Sequence, residues 1–261
     1  MNKTFEEFIS SCVVVLTAGG ESSRFKNVSG AAHVQKAAFV LPSGETMIER
    51  MIQFYKEIGL THFLILVYHN ADSVKKLLGD GSALNVHIEY SEDPGMPVGR
   101  GGAVKHAFLQ GFLKHDQYLI VHNPDDQLVG ETKQILTEAI LAHLAHEKRG
   151  ALVTAVMVEG VRHEFTGFTI DDGFVTDVEM YPFIKIPTHI GLSIFSPAVL
   201  PYFDRLFDLT QKTDFEAVLF PQLKNEKKLA AHTIKEGVWI SVNDEKGLKK
   251  LLKALDSNLK K

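Results

Sequence analysis

Continuous apolar runs separated by amphipathic stretches set the rhythm of the first half of the chain. Cys12-Val13-Val14-Val15-Leu16 is a β-branched run that ends in Thr17-Ala18-Gly19-Gly20, and residues 63–67 and 118–122 repeat the pattern. Runs without polar alternation suit strands covered on both faces, as in a parallel sheet. Residues 86–90 alternate like a half-buried strand. Between these runs Met47, Ile48, Met51, Ile52, Tyr55 and Ile58 recur at helical spacing, with Gly59 as the stop. Further helices are predicted over 71–78 and 103–113, and from Ile135 through Leu144 to a stop at Gly150. This alternation predicts an α/β protein: a doubly wound, Rossmann-like sheet, mixed but mostly parallel, flanked by helices.

Beyond Gly150 the rhythm changes. Residues 151–158 and 190–195 read as strands, and 167–178 as a hairpin turning at Asp171-Asp172-Gly173. This part is expected to be antiparallel or mixed and to extend the same sheet. Leu248, Leu251, Leu252, Leu255 and Leu259 mark one face of a C-terminal helix with lysines elsewhere. No internal repeat and no Pro/Gly/Ser-rich hinge interrupts the sequence, so a single domain over 1–261 is expected.

Composition narrows the functional classes. The 261 residues are 45% hydrophobic and 23% charged with a formal net charge of −4, which excludes disordered and fibrous classes. A slight acidic balance argues against a dedicated nucleic-acid binder. No stretch approaches the ~20 apolar residues of a membrane span, and no basic cluster precedes a long apolar run as in a signal peptide. The single cysteine, Cys12, excludes an internal disulfide, so a cytoplasmic setting is expected. Twelve histidines are present, but His143 and His146 have no obvious third ligand and there is no His-Glu-x-x-His.

The glycine turn after the first strand is the main chemical clue. In open α/β sheets ligands bind beyond the carboxyl ends of strands, and glycines let backbone N–H groups approach phosphate oxygens. The G-x-x-x-x-G-K-[ST] phosphate loop is absent, as is the G-x-G-x-x-G dinucleotide pattern, so a nicotinamide-dependent dehydrogenase is disfavoured.

Leu16-Thr17-Ala18-Gly19-Gly20-Glu21-Ser22-Ser23-Arg24-Phe25, followed by Lys36, resembles the opening of the sugar-1-phosphate nucleotidyltransferases, approximately L-x-A-G-G-x-G-x-R-L with P-K shortly after. Gly99-Arg100-Gly101-Gly102-Ala103-Val104 and His122-Asn123-Pro124-Asp125 follow in the family's order, as do Gly167, Glu179 and Gly191-Leu192. The resemblance runs from about Val13 to about Leu252 and implies a nucleotide-diphospho-sugar transferase-like fold, with a nucleotide-binding half over 12–150 and a sugar-binding half with the C-terminal helix over 151–261.

It also implies roles. Arg24 and Lys36 would neutralise phosphate charge at the reacting centre, and Asp125, at the carboxyl edge of the sheet, would hold Mg²⁺. Ala18, Gly19, Gly20, Glu21, Ser22, Ser23, Gly99 and Gly101 would line the nucleotide. Asn123, Gly167, Glu179, Lys185 and Gly191 would face the sugar phosphate. The implied partners are a nucleoside triphosphate and a sugar-1-phosphate, in nucleotide-sugar biosynthesis, and the chain is compatible with a homodimer or homotetramer. Residues 92–97 would act as a flap and, up to Arg100, help read the base.

Three positions depart from the family pattern. Ser22 replaces the second glycine of the opening motif, so the turn either tolerates a side chain or bends differently. Glu179-Met180-Tyr181-Pro182 lacks the lysine of E-K-P, with Lys185 the nearest substitute. Trp239-Ile240-Ser241 stands where W-x-D carries a second metal ligand, so Asp244, or Asn243, is the remaining candidate. A non-catalytic nucleotide- or nucleotide-sugar-binding protein that kept the fold is therefore the alternative to an enzyme.

Overall fold

A computed structural model describes residues 3–25, 28 and 34–258. The strands of its central sheet are β1 (Cys12–Ala18), β2 (His62–Val67), β3 (His87–Glu92), β4 (Tyr118–His122), β6 (Val153–Val158), β11 (Thr188–Phe195) and β12 (Leu229–Ile234), in the order β12-β6-β11-β4-β1-β2-β3. β3, β2, β1 and β4 pair in parallel, β12 pairs in parallel with β6, and β11 alone runs antiparallel to both its neighbours.

The apolar run of β1 shows why the sheet is covered twice. Cys12, Val14 and Leu16 join a core with the helices α1 (Phe5–Ser11), α2 (Met47–Lys56), α3 (Ala71–Leu78) and α5 (Thr132–Glu147). Val13 and Val15 join the opposite core with α4 (Gly99–Leu109), α6 (Leu200–Leu206) and α7 (Phe215–Asn225). Successive strand side chains point to opposite faces, so a strand with helices on both sides has no polar positions to spare. A smaller cluster packs α8 (Glu245–Asn258) through Leu248 and Leu251 against Phe25, Leu41 and Met47. Leu259 of the expected helix face lies outside the described residues.

Helix ends follow local chemistry. Thr4 and Glu7 form a capping box on α1, and Thr46 and Glu49 one on α2. α4 begins at Gly99, four residues before the predicted helix, so the glycine-rich segment is a helical first turn.

The second half only partly extends the sheet. β6, β11 and β12 do so, while β8 (Thr166–Asp171) and β9 (Phe174–Met180) form a separate two-stranded sheet. Two more small sheets pair β7 (Val161–Arg162) with β10 (Phe183–Ile184), and β5 (Asp126–Leu128) with β13 (Trp239–Ser241). The β5–β13 pairing, Ser241 opposite Asp126, carries residues near 243 to the end of β4.

Candidate active site

A cleft of about 420 Å³ opens beyond the carboxyl ends of β1 to β4, where an open α/β sheet receives its ligands. One wall is the turn after β1, from Gly19 to Arg24. Ser22 keeps the left-handed backbone that a glycine would favour, with φ of 56°, and so holds a side chain in a conformation unfavourable for L-residues. Arg24 stands exposed on this wall. Ala18 is buried behind it, and its carbonyl accepts from Gln35 Nε2 at 2.8 Å. Gln35 is thus the brace of the turn, a role carried by no sequence motif.

The floor is built by Lys36, Asp125 and Asn243. Lys36 Nζ forms an ion pair with the Asp125 carboxylate and donates to Asn243 Oδ1 at 3.1 Å. Asn243 Nδ2 donates to Ser241 Oγ at 2.7 Å, and Val242 N–H donates to the Asp125 carbonyl at 2.8 Å. The expected second ligand, Asp244, is elsewhere. Its Oδ1 accepts from Gly247 N–H at 2.8 Å and its carbonyl from Leu248 N–H, so it is spent on the start of α8, where orphan amides need an acceptor. Asn243 takes the cleft position instead.

Behind the floor lies a partly buried polar chain centred on the buried Asp126. Thr17 Oγ1 donates to Asn123 Oδ1 at 2.7 Å, Asn123 Nδ2 to Asp126 Oδ2 at 2.9 Å, and Trp239 Nε1 to Asp126 Oδ1 at 3.0 Å. Burial, and then the neighbouring Asp125, push the Asp126 carboxyl well above the usual carboxylate range. Gly191 sits against this chain: a Cβ there would collide with Asp126 and Asn123. Its expected substrate contact is corrected to a packing role, while Asn123 does line the cleft.

The opposite rim is the start of α4 and the segment before α7. Asp93 Oδ2 accepts from Val98 N–H at 3.1 Å, closing the 93–98 loop on itself, and Gly99 lines the cleft as expected. Two first-turn donors of α4 are already taken. Arg100 N–H donates to Asp214 Oδ1 at 2.8 Å and Gly101 N–H to the Thr213 carbonyl at 3.2 Å. Gly101 is not a nucleotide contact: it is buried against the Phe207 ring, which a Cβ would strike. The Arg100 guanidinium turns to Asp214 and to Glu216, 2.8 Å away. For Asp214 burial favours the protonated form, but the Arg100 N–H and its charge outweigh it and hold the carboxyl below its ordinary range. Lys212 and His69, singled out by no sequence pattern, also line the cleft.

Three expected substrate residues are outside the cleft. Glu179 is exposed on β9, Gly167 on β8 packs against Pro182, and Lys185 is exposed between β10 and β11. The hairpin forms its own small sheet, so its residues do not converge with Asp125.

A doubly wound sheet with one reversed strand, a glycine turn after β1 and a lysine–aspartate pair at the strand ends define a nucleotide-binding α/β cleft. The chain belongs to the nucleotidyl transferase family, whose profile matches residues 13–248. Two solved structures share the fold. A Bacillus anthracis protein described as a glucose-1-phosphate thymidylyltransferase, in complex with sucrose, is 16% identical over 94% of this chain and 96% of its own, with a TM-score of 0.69. HddC from Yersinia pseudotuberculosis is 20% identical over 94% of this chain and 98% of its own, with a TM-score of 0.63. No curated protein matches the sequence. Among the described residues no helix is long and apolar enough to cross a membrane.

Proposed function

We propose that this nucleotidyl transferase joins a nucleoside triphosphate to a sugar-1-phosphate, giving a nucleotide sugar and pyrophosphate. The observation that carries the reading is the convergence of Arg24, Lys36 and Asp125 on one cleft at the strand ends. An oxygen of the sugar phosphate attacks the α-phosphorus in line. The bond from that phosphorus to the β-phosphate oxygen breaks, and pyrophosphate leaves with the electron pair. Arg24 and Lys36 would neutralise charge on the α-phosphate and the leaving group, and Asn123, braced by Thr17 and Asp126, would orient the acceptor.

The donor set fits Mg²⁺, which prefers hard oxygen ligands and uses one or two carboxylates with substrate phosphates and water. Asp125 and Asn243 both turn an oxygen toward Lys36 Nζ, so two such donors converge on a point of positive charge. These two residues would hold the ion, whose chemistry when bound is charge neutralisation on phosphate oxygens. Asp125 in this reading exchanges its lysine partner for the ion and its nucleotide.

The neutral Asn243, in place of a second carboxylate, favours a second reading, a nucleotide-binding protein without turnover. Pyrophosphate release measured over several triphosphates, each with a set of sugar-1-phosphates and other phosphate monoesters, separates the two. Transfer predicts Mg²⁺-dependent release that Asp125→Ala abolishes. Thermal stabilisation by nucleotides without release from any pair would establish the binding reading.

A further inference from the structure

Strand β11 bulges where it passes the cleft. It pairs with β6 at His189–Met157 and again at Ser193–Ala155, so residues 190–192 stand opposite Val156 alone. Extra residues of this kind bend a strand and re-aim what it carries. Gly191, inside the bulge, has φ of 70°, a conformation that a residue with a side chain enters at a cost. Its carbonyl accepts from Asn123 N–H at 3.1 Å, and it leaves no room for a Cβ beside the Asn123 amide and the Asp126 carboxyl. The bulge is thus the backing of Asn123, which lines the cleft.

One side chain spans the bulge. His189 Nε2 stands 3.1 Å from the Leu192 carbonyl oxygen and 2.9 Å from Ser193 Oγ. A carbonyl only accepts, so Nε2 carries a hydrogen and donates it, closing residue 189 on residue 192. The contact made by the second ring nitrogen sets the orientation of an imidazole. Here Nδ1 lies 3.4 Å from Glu216 Oε1, and Glu216 Oε2 accepts from Arg100 Nη2 at 2.8 Å. Burial opposes ionisation of Glu216, yet His189 and Arg100 prevail and hold its carboxyl below the ordinary range. The Phe220 ring meets the imidazole edge-on, with centroids 5.6 Å apart. His189 is not among the described residues that line the cleft, so any effect it has on a substrate passes through the bulge.

We infer that His189 is a positioning residue for Asn123, pinning the β11 bulge so that the Asn123 amide keeps one direction toward the acceptor. That the acceptor is a sugar phosphate rests on the transfer reading proposed above; the hold on Asn123 does not. A bulge interrupts the regular ladder, so its shape depends on contacts such as the one His189 makes. Displacing a group that orients a substrate by about 1 Å costs about 10²-fold in rate, and a loosened bulge displaces Asn123 in this way.

Two variants of the full chain test this. His189→Leu keeps bulk against Phe220 but has no donor, whereas the amide of His189→Gln can still donate to Leu192; circular dichroism checks that both fold. In hydrogen exchange followed by nuclear magnetic resonance, His189→Leu is expected to speed the Asn123 backbone amide at least tenfold and Ile120, in the same strand, less than twofold. His189→Gln is expected to restore slow exchange at Asn123. With a substrate pair that releases pyrophosphate, His189→Leu is expected to raise the acceptor KM at least tenfold and leave the triphosphate KM within twofold. Nitrogen-15 shifts of the wild-type ring are expected to show Nε2 protonated, a reading that needs no variant. Exchange at Asn123 that is unchanged, or faster only in step with Ile120, overturns the proposal. So do an unchanged acceptor KM, a glutamine no better than leucine, or an unprotonated Nε2. If no pair releases pyrophosphate the transfer reading falls, and the exchange comparison alone decides whether His189 holds Asn123.

Discussion

Asn243 and Lys36 stand 207 positions apart in the chain and share a 3.1 Å hydrogen bond at the floor of the cleft. Residues far apart in the sequence thus meet beside the Asp125 carboxylate. Lys36 pairs with Asp125 and Asn243 together, so one cation draws two oxygen-bearing side chains to the same point of the cleft floor.

Asn243→Asp would turn the pair of donors into two carboxylates. Divalent cations gain affinity with ligand charge. The variant is expected to bind Mn²⁺ at least tenfold more tightly than the wild type without nucleotide, read by the loss of free-ion signal in electron paramagnetic resonance. Unchanged Mn²⁺ affinity would remove Asn243 from the ion site.

Lys36 and Asp125 touch each other, and in the proposed reaction both act on the same phosphates. Lys36→Met is expected to lower kcat about 10²-fold, or about 2.7 kcal/mol of barrier. Adding Asp125→Asn should then cost far less than it does alone, because contacting groups are non-additive. Full additivity of the two losses in single-turnover kinetics would show that they serve separate steps.

Ser22 holds a left-handed backbone at φ 56° in an exposed turn. Ser22→Gly removes the Cβ strain at the expense of a freer unfolded chain, and the balance favours the variant by about 1 kcal/mol. Urea titration is expected to show a higher midpoint with an unchanged slope. A lower midpoint would mean that the serine hydroxyl contributes more than the backbone loses.

His143 makes the fold sensitive to acid. It is buried between Thr154 and Ser196, and burial lowers its pKa to about 3. The unfolded chain takes up a proton near the ordinary ~6.5 that the folded chain refuses until about pH 3. Its contribution is therefore complete above about pH 6.5 and is lost as pH falls through the interval below, by roughly 1.4 kcal/mol per unit. Buried His122, likewise lowered to about 3, adds to the slope. In denaturant titrations from pH 7.5 to 5, His143→Asn should start less stable yet decline less steeply; a slope equal to the wild type would contradict the assignment.

Much of this was legible in the chain because burial on two faces leaves a distinctive mark. β1 and β4 are uninterrupted apolar runs, and the residues closing them, Gly19, Gly20 and Asp125, fall at strand ends where ligands bind. Lys36 and Arg24 followed from order along the sequence. Helix α1 was not predicted, because seven residues are too few to show periodicity; its Thr4–Glu7 capping box is a finding of the structure. Asp244 and Asn243 were both candidates from the sequence, since only tertiary context reveals which of two neighbours caps a helix and which faces a cleft. Gly101 was misassigned because a glycine needed by an aromatic ring looks the same in sequence as one needed by a phosphate. Lys212 lies on the cleft far in sequence from most of the other lining residues, and Gln35 braces the turn through a carbonyl 17 residues back, which no local pattern marks.

The pairing of β13 with β5 has a bearing on synthesis. A ribosome emits β1 to β4 and their helices long before Asn243, yet Val242 and Asn243 complete the surroundings of Asp125 and Lys36. A nascent chain carrying only its first half holds the lysine and the aspartate but neither of these late partners. The surroundings of Asp125 and Lys36 are complete only once residues 242 and 243 have emerged and β13 has paired with β5.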